Sequence, residues 1–409
     1  VSLATRLSRP LGTATRPSER LAIAIAVGAM GTLGFSVTAP ILPDLADAFG
    51  VSLGSIGLVQ GSISFAGVLF SALIGYMADR IGRRRVILTA LGLFSVFGVA
   101  GFFARSFWAL VAVRFIQGIG TSGILGVGIV LIGDTFDGAA RTRAMGINMT
   151  GLQMTSLLGP MIAGFLAVNG TFRPFLIFLI GIPLAAWASR MPADRPEVTI
   201  DRPLRHLRAA LATMRREHTL ADYAGVLAAT FVATYLLHGL GLTVVPLLLD
   251  EEFGVEVAAR GVFIAAFQLG IVLAAIRIGM LIEWIGKVNV VTAAFALMAV
   301  GSAVTALATS AVSVAAGLAV CGFGFGAFVP QAQAYAATVG GQHYRGLTVL
   351  VWVTIIRFSQ VTGPPAGSML YDAAGPTVPF WSAAAITGVL AVAWIPVRRA
   401  VSNPAGAAG

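Results

Sequence analysis

Three side chains stand out in this 409-residue chain because each is charged, or can become so, inside a long apolar run: Arg114, Arg357 and His238. A guanidinium keeps its proton, so an embedded arginine can attract an anion or bias a neighbour but cannot itself relay a proton. An imidazole titrates near neutrality without help. Carboxylates occur only at the ends of the runs: Asp44 just past Pro43, and Asp134 and Asp222 at the opposite ends. The candidate proton carriers are therefore Asp44, His238 and Asp134, in that order, with Arg114 as the charge that tunes proton coupling. Two embedded cations without a buried counter-charge make their surroundings positive, which disfavours a permanently cationic ligand and suits neutral or anionic amphiphiles. Side chains that could line a cavity with Arg357 are Phe35, Gln117, Phe231, Tyr235, Phe323, Phe325 and Gln360.

Other chemistries lack their residues. Four scattered His and the single Cys321 give no metal-ligand spacing and no intrachain disulfide. The only lysine is Lys287, so there is no P-loop, and ATP is not expected as a direct energy source. Gly118, Gly120 and Gly123 spell G-x-G-x-x-G, but within an apolar run that follows no strand, so no dinucleotide is implied. The Asn169-Gly170-Thr171 sequon matters only in a secretory pathway. No cofactor and no intramembrane catalytic constellation is expected, which argues against an enzyme.

The elements that must position these residues follow from composition: 57% hydrophobic residues, 11% charged residues and a mean hydropathy of +0.89. Apolar runs long enough to cross a bilayer as helices lie near 21–43, 55–78, 86–104, 107–133, 143–168 and 172–189, then near 222–249, 258–282, 288–308, 311–337, 346–371 and 377–397. They are numbered spans 1 to 12 below. Arg114 then lies about 10 Å inside span 4, at 1.5 Å per residue. Of 27 Lys and Arg, 22 lie in the tails or at and beyond the ends of even-numbered spans, whereas seven acids, from Asp44 to Asp372, fall on the other face. Positive charge marks the cytoplasmic side, so both termini are expected there, and the net charge of +10 needs no nucleic-acid partner. The first span is read as retained, not as a signal peptide.

A register shift of 204 residues superimposes the two halves: it pairs Phe49-Gly50 with Phe253-Gly254, Gly118 with Gly322, Gly120 with Gly324, Arg141 with Arg345, and Gly159-Pro160 with Gly363-Pro364. Such a duplication points to two similar bundles with a functional site between them. The expected organisation is a cytoplasmic tail (1–20), a six-helix bundle (21–189), a cytoplasmic linker (190–221), a second six-helix bundle (222–397) and a tail (398–409). In the linker, Leu204, Leu207, Leu211 and Met214 recur at helical spacing among arginines, as in a helix lying on an anionic leaflet.

Four local patterns carry a family resemblance. Leu33-Gly34 precedes Pro40 and Pro43 in span 1. Gly75, Asp79, Arg80, Gly82, Arg83 and Arg84 follow span 2, and Gly279, Glu283, Gly286 and Lys287 repeat that pattern in weaker form after span 8. Span 4 holds Leu110, Arg114, Gln117, Gly118 and Gly120, and span 5 holds Gly159, Pro160 and Gly164. Together they resemble the major facilitator superfamily, and within it the twelve-helix drug:proton antiporter group, although Met77 and Ala163 depart from its usual residues. The resemblance implies an all-α integral membrane protein with twelve transmembrane helices in two six-helix bundles related by a parallel repeat. It implies a multi-pass protein of the bacterial cytoplasmic membrane, working as a monomer among lipids on a small-molecule substrate and protons.

On this reading the 75–84 loop is a cytoplasmic gate in which Asp79 accepts from a neighbouring helix N-terminus or Arg, and Gly75 and Gly82 allow close backbone approach. Gly159-Pro160 bends span 5 and packs tightly. The expected activity is proton-coupled efflux of small amphiphilic compounds. The alternatives are a proton-coupled importer or a uniporter of a metabolite such as an organic anion and, more remotely, a polytopic membrane enzyme or sensor.

Overall fold

A computed structural model describes residues 17–191, 219–339 and 341–402, apart from the side chains at 72, 79, 125–130, 134, 142, 341–346 and 395–402. Among the described residues every regular element is helical. The amphipathic linker segment and both distal tails lie outside them.

Helices Leu53–Ile81, Arg83–Ala100, Phe107–Thr135 and Gly138–Ala167 form spans 2 to 5, and Val257–Ile285, Lys287–Ala306, Ala311–Ala336 and Gly341–Ala374 form spans 8 to 11. Helix Val378–Ser402 is span 12. Nine described segments are long and apolar enough to cross a membrane, and Arg173–Ala188 and Val378–Trp394 are shorter apolar helices. With Gly138–Ala167 these fill the twelve positions.

Spans 1, 6 and 7 change helical pitch along their length. Span 1 runs as Pro17–Ser36, a 3-10 turn at Ala39–Ile41 and a short helix Leu42–Phe49. Pro40 and Pro43, which have no N–H to offer the ladder, stand where it changes pitch. Span 6 begins as a 3-10 segment, Arg173–Ile180. Span 7 runs from Leu220–Tyr235 into a π-helical stretch, Leu236–Val244, then Val245–Glu251.

The duplication holds at the level of atoms. A Cβ on Gly118 would run into the carbonyl oxygen of Ile63, and one on Gly322 into that of Phe267, which is Ile63 shifted by 204. Gly120 lies on the carbonyl of Ala90, and Gly324 on that of Ala294, again 204 apart. Gly82 and Gly286 both cap their helices at positive φ, 91° and 79°. Because lipid is as apolar as leucine, helices in a membrane associate through close backbone packing, and glycine permits it.

The halves meet along two matching seams, span 2 on span 11 and span 5 on span 8. Gly57 of span 2 lies against the carbonyl of Pro364, and reciprocally Gly261 of span 8 against the carbonyl of Pro160. The repeated Gly-Pro pairs thus join the halves. Gly159 also packs on Ser36 and Leu33 of span 1, and Gly164 on the backbone of Val257 and Ala258.

Candidate functional site

At the centre of the seam, the π-helical turn of span 7 carries His238. Its Nδ1 faces the carbonyl oxygen of Thr234 at 3.1 Å, so Nδ1 holds the hydrogen, and Nε2 then accepts from Nε2 of Gln360 at 3.1 Å. Phe35 of the other half meets the imidazole edge-on, with centroids 5.9 Å apart. Tyr235 stands one turn before His238 beside Gly239 and Gly363, and Phe231 pairs with Phe358 at 5.9 Å. Insertion of a residue in a π-turn re-aims side chains, and such turns recur at functional sites.

Arg357 lies on the face of span 11 that carries Gln360, three residues on. It reaches to the N-terminal half: a Cβ on Gly67 would stand 3.1 Å from its Nη1 and 3.5 Å from Oγ of Ser122. Two residues expected beside it lie elsewhere. Gln117 is fully buried within its own bundle, its Oε1 accepting from Arg114, and Phe325 packs edge-on to Phe267 in the core of the C-terminal bundle. Phe323 is a partly buried residue packed on that core. Both aromatics follow Gly322 and Gly324, whose close packing holds this stretch of span 10 against its own bundle.

Arg114 differs from Arg357 in having its donors engaged. It is 0% exposed and donates to Oε1 of Gln117 (2.8 Å), the carbonyl of Gly34 (2.5 Å) and Oγ1 of Thr38 (3.2 Å). Spans 1 and 4 are thereby tied at the break in span 1, and Nε of Arg114 remains buried without a partner.

One end of the bundle, called the Asp44 end, is closed. Arg260 sits in the first turns of the helix of span 8 and is 3% exposed. Its Nη2 donates to Oδ1 of Asp44 at 2.9 Å and lies 3.4 Å from Oδ1 of Asp250. The two acids come from equivalent short helices, Leu42–Phe49 and Val245–Glu251, one in each half. Oγ of Ser368 donates to the carbonyl of Gly54 at 2.8 Å, adding a second inter-half bond on this side.

The opposite end, which carries Arg83, is exposed among the described residues. Residues 283–287 are exposed on every face, Trp284 at 84%. Among the described residues the close approach expected at Gly75 is absent: none of their atoms lies within 4 Å of a Cβ there, nor of one on Gly279 or Gly146. Arg80 is exposed and stacks over the ring of Tyr76, with 5.2 Å to the centroid; Arg83 and Arg84 are half-buried. The side chains of Asp79 and Asp134 lie outside the described residues. His238, Gln360 and Arg357 thus lie between the halves, between the clasped Asp44 end and the exposed Arg83 end.

Sequence reasoning missed Arg260, Asp250, Thr38 and the reciprocal glycines Gly57 and Gly261. Arg260 could have been noticed as one of three basic residues on the acid-rich face, and Gly57 and Gly261 as one more pair at the offset of 204.

Comparison with known proteins gives a family. The profile of the Major Facilitator Superfamily matches residues 24–243 and again 226–408. The chain is 28% identical to a bacillibactin exporter of Bacillus subtilis over 151 residues, 35% of this chain and 38% of that protein. It is 27% identical to multidrug resistance protein D of Escherichia coli over 193 residues, 46% and 47% respectively. The matched stretches span about half or less of these relatives. The crystal structure of the nucleoside transporter NupG superimposes with a TM-score of 0.73 at 13% identity, covering 93% of this chain and 98% of that one, a likeness of fold.

Proposed function

Because the chain belongs to the Major Facilitator Superfamily, we propose that it is a secondary transporter that exports small amphiphilic compounds in exchange for protons. It would act by alternating access, as a monomer in the bacterial cytoplasmic membrane, without ATP or another cofactor. The observation that carries this reading is the asymmetry of the seam: tied at the Asp44 end by Arg260, Asp44 and Asp250, whereas Gly75 and Gly279 at the Arg83 end meet no described atom within 4 Å. With basic residues marking the cytoplasm, this is an inward-open state, ready to take a compound from the cytoplasm or inner leaflet. The span 5 motif and the relative named as an exporter favour outward movement.

The proton acts at the closed end. A proton arriving at Asp44 removes the charge that holds Arg260 and weakens the clasp, so the outer face opens when protons are abundant outside. Asp47, beside Asp44 on the same short helix, and Asp250 add negative charge that helps to hold Arg260. Loss of that proton from Asp44 restores the clasp.

Inverted membrane vesicles test the direction. With the lumen acid, an exporter accumulates an amphiphilic dye and an uncoupler abolishes the accumulation. Extrusion of dye would indicate an importer, and equilibration insensitive to the gradient a uniporter.

A further inference from the structure

The two arginines inside the spans are in opposite circumstances. Arg114 spends its donors on Gly34, Thr38 and Gln117 within its own bundle. Arg357 is ten residues inside its apolar segment, which begins at Leu347, or about 15 Å along the helix, near the middle of a bilayer. Among the described residues it makes no ion pair and no hydrogen bond. A charge at such depth is costly unless a cavity or counter-charge receives it. The carboxylates that the structure does pair lie at the Asp44 end or in the exposed 133–141 turn.

The polar side chains near Arg357 supply no counter-charge, and all but one have a donor engaged within the protein. Ser122 faces it across Gly67, with its hydroxyl donating to the carbonyl of Gly118 at 3.0 Å and its oxygen free to accept. Ser64, one turn earlier on the same face of span 2, has a buried hydroxyl without a partner. Gln360 has its amide N–H on His238, and that imidazole has its own N–H on Thr234.

We infer that Arg357, with Ser64, forms a subsite for the anionic group of the transported compound, a carboxylate or another oxyacid, whose apolar body lies against Phe35 and Tyr235. The inference rests on the transporter reading and narrows its substrate class to amphiphilic anions. A planar guanidinium offers two parallel N–H groups to a carboxylate, which an ammonium cannot reproduce. The anion bridges the seam, since Arg357 comes from one half and Ser64 from the other. Binding therefore favours a state in which the halves approach at this level.

The test uses the full chain in nanodiscs of zwitterionic lipid, which supply no competing anionic headgroup, and three probes with one aromatic body: 2-naphthoate, its carboxamide and 2-naphthylmethylammonium. Naphthoate should bind about tenfold or more tightly than the other two, the size of one charge-assisted hydrogen-bonding pair. Arg357→Gln should erase that preference, and Arg357→Lys should keep part of it; the melting temperature of each variant checks that the fold persists. Equal binding of the three probes, no binding of naphthoate at millimolar concentration, or a preference unchanged in a folded Arg357→Gln would overturn the subsite. These readouts do not depend on transport direction or on protons, so failure here leaves the exporter reading standing, and failure in the vesicles leaves the subsite standing.

Discussion

The carboxylate of Asp44 and the guanidinium of Arg260, 216 residues apart and in different halves, share a 2.9 Å hydrogen bond at the closed end of the molecule. Arg260 is almost wholly buried, whereas the Asp44 side chain is 30% exposed. The pair is incompletely satisfied: Oδ2 of Asp44 and Nε and Nη1 of Arg260 are buried without partners. A bond that closes the structure while leaving donors unspent suits a contact that is made and broken in each cycle.

If this bond holds the outer face, Asp44→Asn and Arg260→Gln should each raise outward opening and lower gradient-driven transport. Combined, they should lose less than the sum, with a coupling of about 0.5–3 kcal/mol for a contacting pair. Asp44→Asn, which mimics the protonated acid, should also flatten the dependence of opening on external pH, while equilibrative exchange survives. Additive effects in the double variant and an unchanged pH profile would separate Asp44 from the clasp.

The reciprocal glycines offer a steric test. A Cβ on Gly57 would overlap the backbone oxygen of Pro364, and one on Gly261 that of Pro160, neither of which can move as a side-chain tip can. Gly57→Ala and Gly261→Ala should each wedge the seam and expose the buried position 368 at the Asp44 end, read as reaction of Ser368→Cys with an impermeant maleimide. Full transport with no labelling would show that this seam tolerates separation.

Arg114 is predicted to matter through the break in span 1. Arg114→Ala leaves the acceptors on Gly34, Thr38 and Gln117 buried and empty, at about 1–3 kcal/mol for each unsatisfied group. Transport and thermal stability should fall together. Arg114→Lys, with charge but no planar fork, should recover part of both. Normal transport and pH dependence in Arg114→Ala would remove this arginine from the mechanism.

How much of this was legible in the sequence follows from which interactions are local. The fold was, because glycines in a register of 204 fix the same backbone crossings in both halves, such as Gly118 on Ile63 and Gly322 on Phe267. The site was legible only in part. Arg114 and Arg357 look alike as embedded cations, and only the acceptors around them, contributed by spans distant in sequence, tell one from the other. Asp44 could be singled out as an acid beside a span, but not its bond to Arg260. The π-helical turn around His238 left no periodic trace beyond Gly239 and Gly241. Gly75 was expected to be in close contact, which belongs to a state with the Arg83 end closed.

For that other state, Asp79→Asn should impair transport in a protein that still inserts and folds, and it should increase cysteine accessibility between the halves from the cytoplasmic side. Unchanged transport and accessibility would leave the 75–84 loop with a role in topology alone.

The central claim, that the two ends open in alternation about the Asp44–Arg260 clasp, is tested most directly by spin-label distances in a Cys321→Ser background. One label pair, at Tyr76 and Met280, spans the Arg83 end; a second, at Ala48 and Glu252, spans the Asp44 end. All four positions are exposed. Introducing Arg260→Gln should lengthen the Ala48–Glu252 distance and shorten the Tyr76–Met280 distance in the same population. Distances that stay fixed at both ends, or that lengthen together, would contradict the account.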